Sequence, residues 1–130
     1  MLSFLRSRIR SFNYAFEGWW FVIRSQQNAW IHATVSLIVV VMGFWLSLSP
    51  RDWAVIILAI AMVWAAEFFN TALEVIVDLA SPDANDLAKV GKDVGAAAVL
   101  IAASASIIIG LLILGPPFWE KVRSLVGFGQ

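Results

Sequence analysis

The chain has 130 residues, 61% of them hydrophobic and 14% charged, with a mean hydropathy of +0.83. A soluble domain averages about 45–50% apolar and about 25% charged residues, so this composition excludes an ordinary water-soluble globule and points to one integral membrane domain, 1–130. A net charge of zero gives no reason for a nucleic-acid partner, and a chain without cysteine has no disulfide, thiolate metal site or Cys nucleophile.

Segment 1–28 is mixed rather than uniformly apolar. Leu2, Leu5, Ile9, Phe12 and Phe16 recur at helical spacing, with Arg6, Arg8, Arg10 and Ser11 mostly between them. The arginines break any continuous apolar core, so the segment does not read as a secretory signal. A basic amphipathic helix carrying Phe12, Tyr14, Phe16, Trp19, Trp20 and Phe21 is expected to lie in the membrane interface rather than to cross it. Gly18 marks a bend or a close approach.

The first expected span is 31–48, apolar apart from His32, Thr34, Ser36 and Ser47. Its one histidine reads as a structural hydrogen-bonding residue. Ser49-Pro50-Arg51-Asp52 is a turn that can restart a helix. The second span is 53–78, about 39 Å if wholly helical, which exceeds the ~30 Å hydrocarbon core. Its end is therefore expected to project to one interface. Segment 79–93 is polar; Ser81-Pro82-Asp83 resembles a helix start, and Lys89 and Lys92 lie one turn apart. The third span, 94–114, is rich in Gly, Ala and Ser, which let helices approach closely, so it is expected to be the central packing element. Gly115-Pro116-Pro117 is expected to end it, leaving a short tail anchored by Trp119.

Three spans put the termini on opposite sides. With the N-terminus inside, Arg6, Arg8, Arg10, Arg24, Lys89 and Lys92 are cytoplasmic, while Arg51, Lys121 and Arg123 are outside, as the positive-inside rule requires.

The candidate chemistry sits in 67–78. Glu67, Asn70, Glu74 and Asp78 fall within about 80° of one another on a helix, as a polar stripe about 16 Å long. A charge inside a bilayer costs at least about 2.5–3.5 kcal/mol, so the stripe is a functional-site hypothesis. An end that has merely emerged into water would account for Asp78 but not for Glu67, which lies just after the apolar run from Trp53. Carboxylates and an amide suit a hard cation such as Mg²⁺, and a carboxylate near a hydroxyl can act as general base. Lys92 and Lys89 could balance phosphate charge. No Walker loop and no Gly-x-Gly-x-x-Gly is present, so ion or proton translocation by a small carrier, or an assembly role, explains the stripe about as well on these grounds.

The run Glu67-Phe68-Phe69-Asn70-Thr71-Ala72-Leu73-Glu74-Val75-Ile76-Val77-Asp78, followed by Ala88-Lys89-Val90-Gly91-Lys92-Asp93, resembles the prokaryotic diacylglycerol kinase family, the small three-span lipid kinases that include undecaprenol kinases. Tyr14-Ala15-Phe16-Glu17-Gly18 and Asn28-Ala29-Trp30-Ile31-His32 extend the likeness over nearly the whole chain. Asn-x-x-Ile-His is closer to the undecaprenol kinase branch. The resemblance implies an all-α homotrimer with interfacial active sites shared between subunits, using ATP and Mg²⁺ at the cytoplasmic face of the bacterial inner membrane. By position, Glu67 resembles the catalytic base and Glu74 a Mg²⁺ ligand. Asn70, Asp78, Lys92, Asp93 and Tyr14 match residues around the nucleotide and metal. Many members carry a glutamate where this chain has Gln26, and Glu17 could compensate for that neutral ligand.

Overall fold

The computed structural model describes residues 1–83 and 85–127, with the backbone alone for Leu2, Ser3, Leu5 and Ser7. The apolar positions Leu2 and Leu5, the linker residue Ala84 and the tail residues 128–130 thus fall outside the described residues. Every regular element among the described residues is helical: α1 Leu2–Ser25, α2 Gln27–Trp45, α3 Pro50–Ala80 and α4 Asp86–Val126. Helices α2, α3 and α4 are long and apolar enough to cross a bilayer. With 31 and 41 residues, α3 and α4 reach about 46 Å and about 62 Å, well beyond the hydrocarbon thickness.

Local chemistry sets the boundaries. Gln26 has extended backbone (φ −109°, ψ 118°) and serves both as the C-cap of α1 and as the N-cap of α2, so the chain turns at a single residue. Gly18 makes no such bend: α1 runs straight through it, and nothing approaches within 4 Å of where its Cβ would lie. The turn after α2 brings Ser47 to φ 55°, and Ser49 then caps α3, its side chain accepting from the Asp52 amide with Pro50 in the first turn. Helix α4 starts at Asp86 rather than after Ser81. Asn85 is the residue whose side chain accepts from the amides of Leu87 and Ala88, at 2.8 and 3.3 Å, whereas Ser81 closes α3. Lys89, Lys92 and Asp93 therefore lie on the first turns of α4.

The far end of α4 differs too. Gly115-Pro116-Pro117 does not stop the helix, which continues to Val126 and closes on Gly127 in the left-handed region (φ 75°). Two prolines delete two backbone donors and no others. The turn beyond them gains partners on α2: Phe118 packs on Trp45 at 6.1 Å, and the Lys121 ammonium lies 5.9 Å from the same ring.

The helices form an antiparallel set, with α3 rather than the small-residue α4 at the centre. It packs along α4 and also against α2, whereas α2 and α4 barely meet. Ile56, Ala59, Val63, Glu67, Asn70 and Thr71 are its buried positions, answered on α4 by Gly95, Val99 and Ala102. Ser106 Oγ donates to the Ala59 carbonyl (3.1 Å) and Trp64 Nε1 to Ser36 Oγ (3.3 Å), tying α3 to both neighbours. Large side chains such as Leu58, Phe69, Ile76, Leu100, Ile101 and Leu112 face outward, the reverse of a soluble bundle.

Because Asn85 satisfies two first-turn amides of the helix that carries Lys92 and Asp93, Asn85→Ala is expected to cost about 1 kcal/mol and to lower the thermal midpoint in detergent micelles. An unchanged midpoint in a calorimetric or fluorescence melt would show that water replaces the cap without loss.

Candidate functional site

The antiparallel order brings four helix ends to one place: the C-terminal end of α1, the start of α2, the end of α3 and the start of α4. The α3 stripe runs inward from this end. Asp78 is exposed, Glu74 is half-buried, Asn70 is buried, and Glu67 is 1% exposed. Emergence into water thus describes Asp78 and fails for Glu67.

Three linked groups make up the site. At its outer edge the Lys92 ammonium pairs with Asp78 across α4 and α3. In the middle, the Glu74 carboxylate accepts an amide on each oxygen: Gln26 Nε2 donates to Oε2 at 3.0 Å, and Asn70 Nδ2 donates to Oε1 at 2.9 Å. The Gln26 corner makes the first bond possible, since it turns that side chain from the α1–α2 junction onto α3. The second is an i, i+4 pair within α3. Deepest lies Glu67, whose two oxygens have no hydrogen-bond partner among the described residues. His32 Nε2 stands 3.7 Å from its Oε2.

Asn70 shows how tightly α4 is fitted. Its Oδ1 is buried without a partner, and a Cβ built on Gly95 would come within 2.5 Å of it. A methyl group at 95 would force this amide oxygen aside. Thr71 is buried beside it, its hydroxyl donating to the Glu67 carbonyl at 2.9 Å.

Of the sequence-predicted site residues, Gln26, Asn70 and Glu74 come together, Asp78 joins Lys92, and Glu67 lies deeper along the same face. Tyr14 and Glu17 are exposed on α1 and Asp93 is exposed on α4; among the described residues they do not join the contacts of the stripe. Sequence reasoning missed two participants. His32 faces Glu67 from α2, and Gly95 makes room for Asn70. The Asn-x-x-Ile-His pattern and the small-residue run contained them, but neither pattern says which face of α3 they meet.

A metal would have to use oxygen. No group of three or more His, Asp or Glu that could hold one comes together among the described residues. One carboxylate at Glu74, with the amide oxygen of Gln26 beside it, forms a hard donor set of low charge. This fits Mg²⁺ bound chiefly through ligand phosphates, since that ion commonly takes only one or two carboxylates from protein.

Fold and site define a small, multi-pass, all-helical membrane protein with a carboxylate site where its helix ends converge. Residues 13–114 match the prokaryotic diacylglycerol kinase family. The chain is similar to the undecaprenol kinase of Bacillus subtilis (strain 168), at 40% identity over 107 residues, or 82% of this chain and 87% of that protein. It is similar to the diacylglycerol kinase of Synechocystis sp., at 39% over 108 residues, covering 82% of this chain and 62% of that one. The diacylglycerol kinase of Escherichia coli (strain K12) is 32% identical over 82 residues, 63% of this chain and 67% of that protein. The chain belongs to the prokaryotic diacylglycerol kinase family.

Gly95→Ala puts a methyl group onto the Asn70 amide. It is expected to push the Asn70 amide off its bond to Glu74, at a cost of about 0.5–1.5 kcal/mol. A thermal melt indistinguishable from that of the unsubstituted chain would mean that the amide turns aside at no cost.

Proposed function

We propose that the chain is a lipid kinase that transfers the γ-phosphoryl group of ATP to the hydroxyl of a membrane alcohol. Undecaprenol is the preferred acceptor and diacylglycerol the second. The carrying observation is a buried, unpaired carboxylate, Glu67, aligned with the Glu74 amide cluster and the Asp78–Lys92 pair. Membership of the family supports the reaction class. The undecaprenol kinase at 40% identity, covered over 87% of its length, favours the isoprenoid alcohol.

Glu67 is the general base. Its oxygens are free to accept the proton of the lipid hydroxyl as that oxygen attacks the γ-phosphorus and the bond to the β–γ bridging oxygen breaks, leaving ADP. The acceptor enters from the membrane side. An apolar cavity of about 490 Å³ between α2, α3 and α4 runs from His32 towards Phe118 and suits the chain of such a lipid. ATP approaches from water at the exposed end of the stripe. There Lys92, released from Asp78, neutralises phosphate charge, and Asn70, Asp78 and Asp93 orient the nucleotide. Glu74, with the amide oxygen of Gln26, would hold Mg²⁺, which would offset the charge of the ATP phosphates. Tyr14 and Glu17, exposed on α1, serve a nucleotide site shared with a neighbouring subunit of a homotrimer, with α1 lying amphipathically in the interface. The site faces the cytoplasm from the bacterial inner membrane, where ATP is available.

Glu67→Gln is expected to lower turnover by about 10²–10⁴-fold while leaving the oligomer and the Mg·ATP-induced rise in thermal midpoint intact. Labelled ATP with undecaprenol or diacylglycerol in mixed micelles measures this, and full activity would remove Glu67 as base. A midpoint that Mg·ATP does not move would favour a non-enzymatic carrier or assembly subunit instead. Gln26→Glu adds a second carboxylate to the metal donors, so the Mg²⁺ concentration for half-maximal rate should fall. An unchanged Mg²⁺ titration would place Gln26 outside the metal's reach.

A further inference from the structure

Two buried polar groups face each other across α2 and α3 without a bond to either. Among the described residues Glu67 is the largest fully buried side chain, and both its carboxylate oxygens lack a hydrogen-bond partner. His32 is 15% exposed, and its Nε2, also buried and unpartnered, lies 3.7 Å from Glu67 Oε2. Buried polar atoms are paired in the great majority of cases, so two adjacent exceptions call for a reason. The imidazole is held for this encounter. Its ring stands 6.3 Å from that of Trp64 at 68°, and Trp64 is itself pinned through its Nε1 to Ser36, one turn further along α2. His32 also lines the apolar cavity, so it borders both the proposed base and the space beside it.

We propose that His32 is a positioning residue for Glu67: its Nε2–H donates to Oε2 when substrate closes the site, leaving Oε1 to take the proton of the acceptor hydroxyl. A neutral imidazole carries one N–H donor, and hydrogen bonds of catalytic groups are often long before substrate arrives and tighten in the loaded complex. Without that donor the Glu67 carboxylate has no described partner to fix its rotamer, and a small misplacement of a reacting group is enough to cost on the order of 10²-fold in rate. The inference rests on the kinase reading of Glu67.

The test compares His32→Leu, His32→Gln and His32→Asn in full-length protein, with ATP and undecaprenol or, separately, diacylglycerol in mixed micelles. Glutamine places an amide nitrogen near the Nε2 position, and asparagine near Nδ1. The leucine variant should lose kcat by on the order of 10²-fold with the KM for ATP within about twofold, the glutamine variant should recover most of that loss, and the asparagine variant should not. In a Glu67→Gln background, His32→Leu should lower the residual rate by less than about twofold, because its partner is already gone. A wild-type kcat in His32→Leu, an equal loss in the leucine and glutamine variants, or a full further loss in the Glu67→Gln background overturns the role of His32. So does loss of the Mg·ATP thermal shift in leucine and glutamine variants alike, which would make His32 a support of the fold. Absence of transfer to either alcohol by the unsubstituted chain overturns the kinase reading itself.

Discussion

A carboxylate held inside an apolar helix bundle is the constraint around which the other features fall into place. Glu67 is buried on α3 amid a surface built to avoid charge, and a charge at bilayer depth costs at least about 2.5–3.5 kcal/mol. A structural role would be served better by any apolar residue of that size. The chain instead keeps the group and sets an imidazole 3.7 Å from it. Buried ionisable groups of this kind commonly mark sites of chemistry. The polarity of the stripe is graded, from an exposed ion pair at Asp78 through the amide-bound Glu74 to the unpaired Glu67. A phosphate-bearing ligand and an apolar one could meet along such a gradient, each from its own solvent.

Packing around that stripe requires particular residues at particular places. Where α4 crosses Asn70, a methyl at 95 would meet the amide oxygen, and α1 can deliver Gln26 only because the chain turns within one residue. Both demands arise from the antiparallel order, which gathers helix ends from positions 26, 74 and 92 into one cluster. Gln26 then has a definite part. With a glutamate at that position, two carboxylates would face each other across the space now bridged by the bond from Gln26 Nε2. The amide makes the cluster self-consistent as it stands, at the expense of charge available to a cation.

Much of this was legible in the residues themselves. Apolar run lengths marked three spans and a distinct N-terminal segment, because the bilayer imposes a length that little else requires. The spacing of Glu67, Asn70, Glu74 and Asp78 placed them on one face, because helical periodicity is a local property. Boundaries were less legible. Ser81-Pro82-Asp83 and Gly115-Pro116-Pro117 carry strong helix start and stop signals, yet Asn85 made the better cap, and contacts to Trp45 carried α4 past its prolines. Local propensity is a weak prior wherever tertiary contact opposes it.

By itself the sequence determined the class, the span count, the polar stripe and the family likeness, all of which depend on composition or on neighbours within a few turns. Only the tertiary structure decided that Glu67 is buried and unpaired while Asp78 is not. It also decided that Gln26 reaches Glu74 across 48 residues of chain, and that His32 is the side chain facing Glu67. Those facts follow from how three helices rotate about their axes and which faces they turn to one another, and no single helix carries that information.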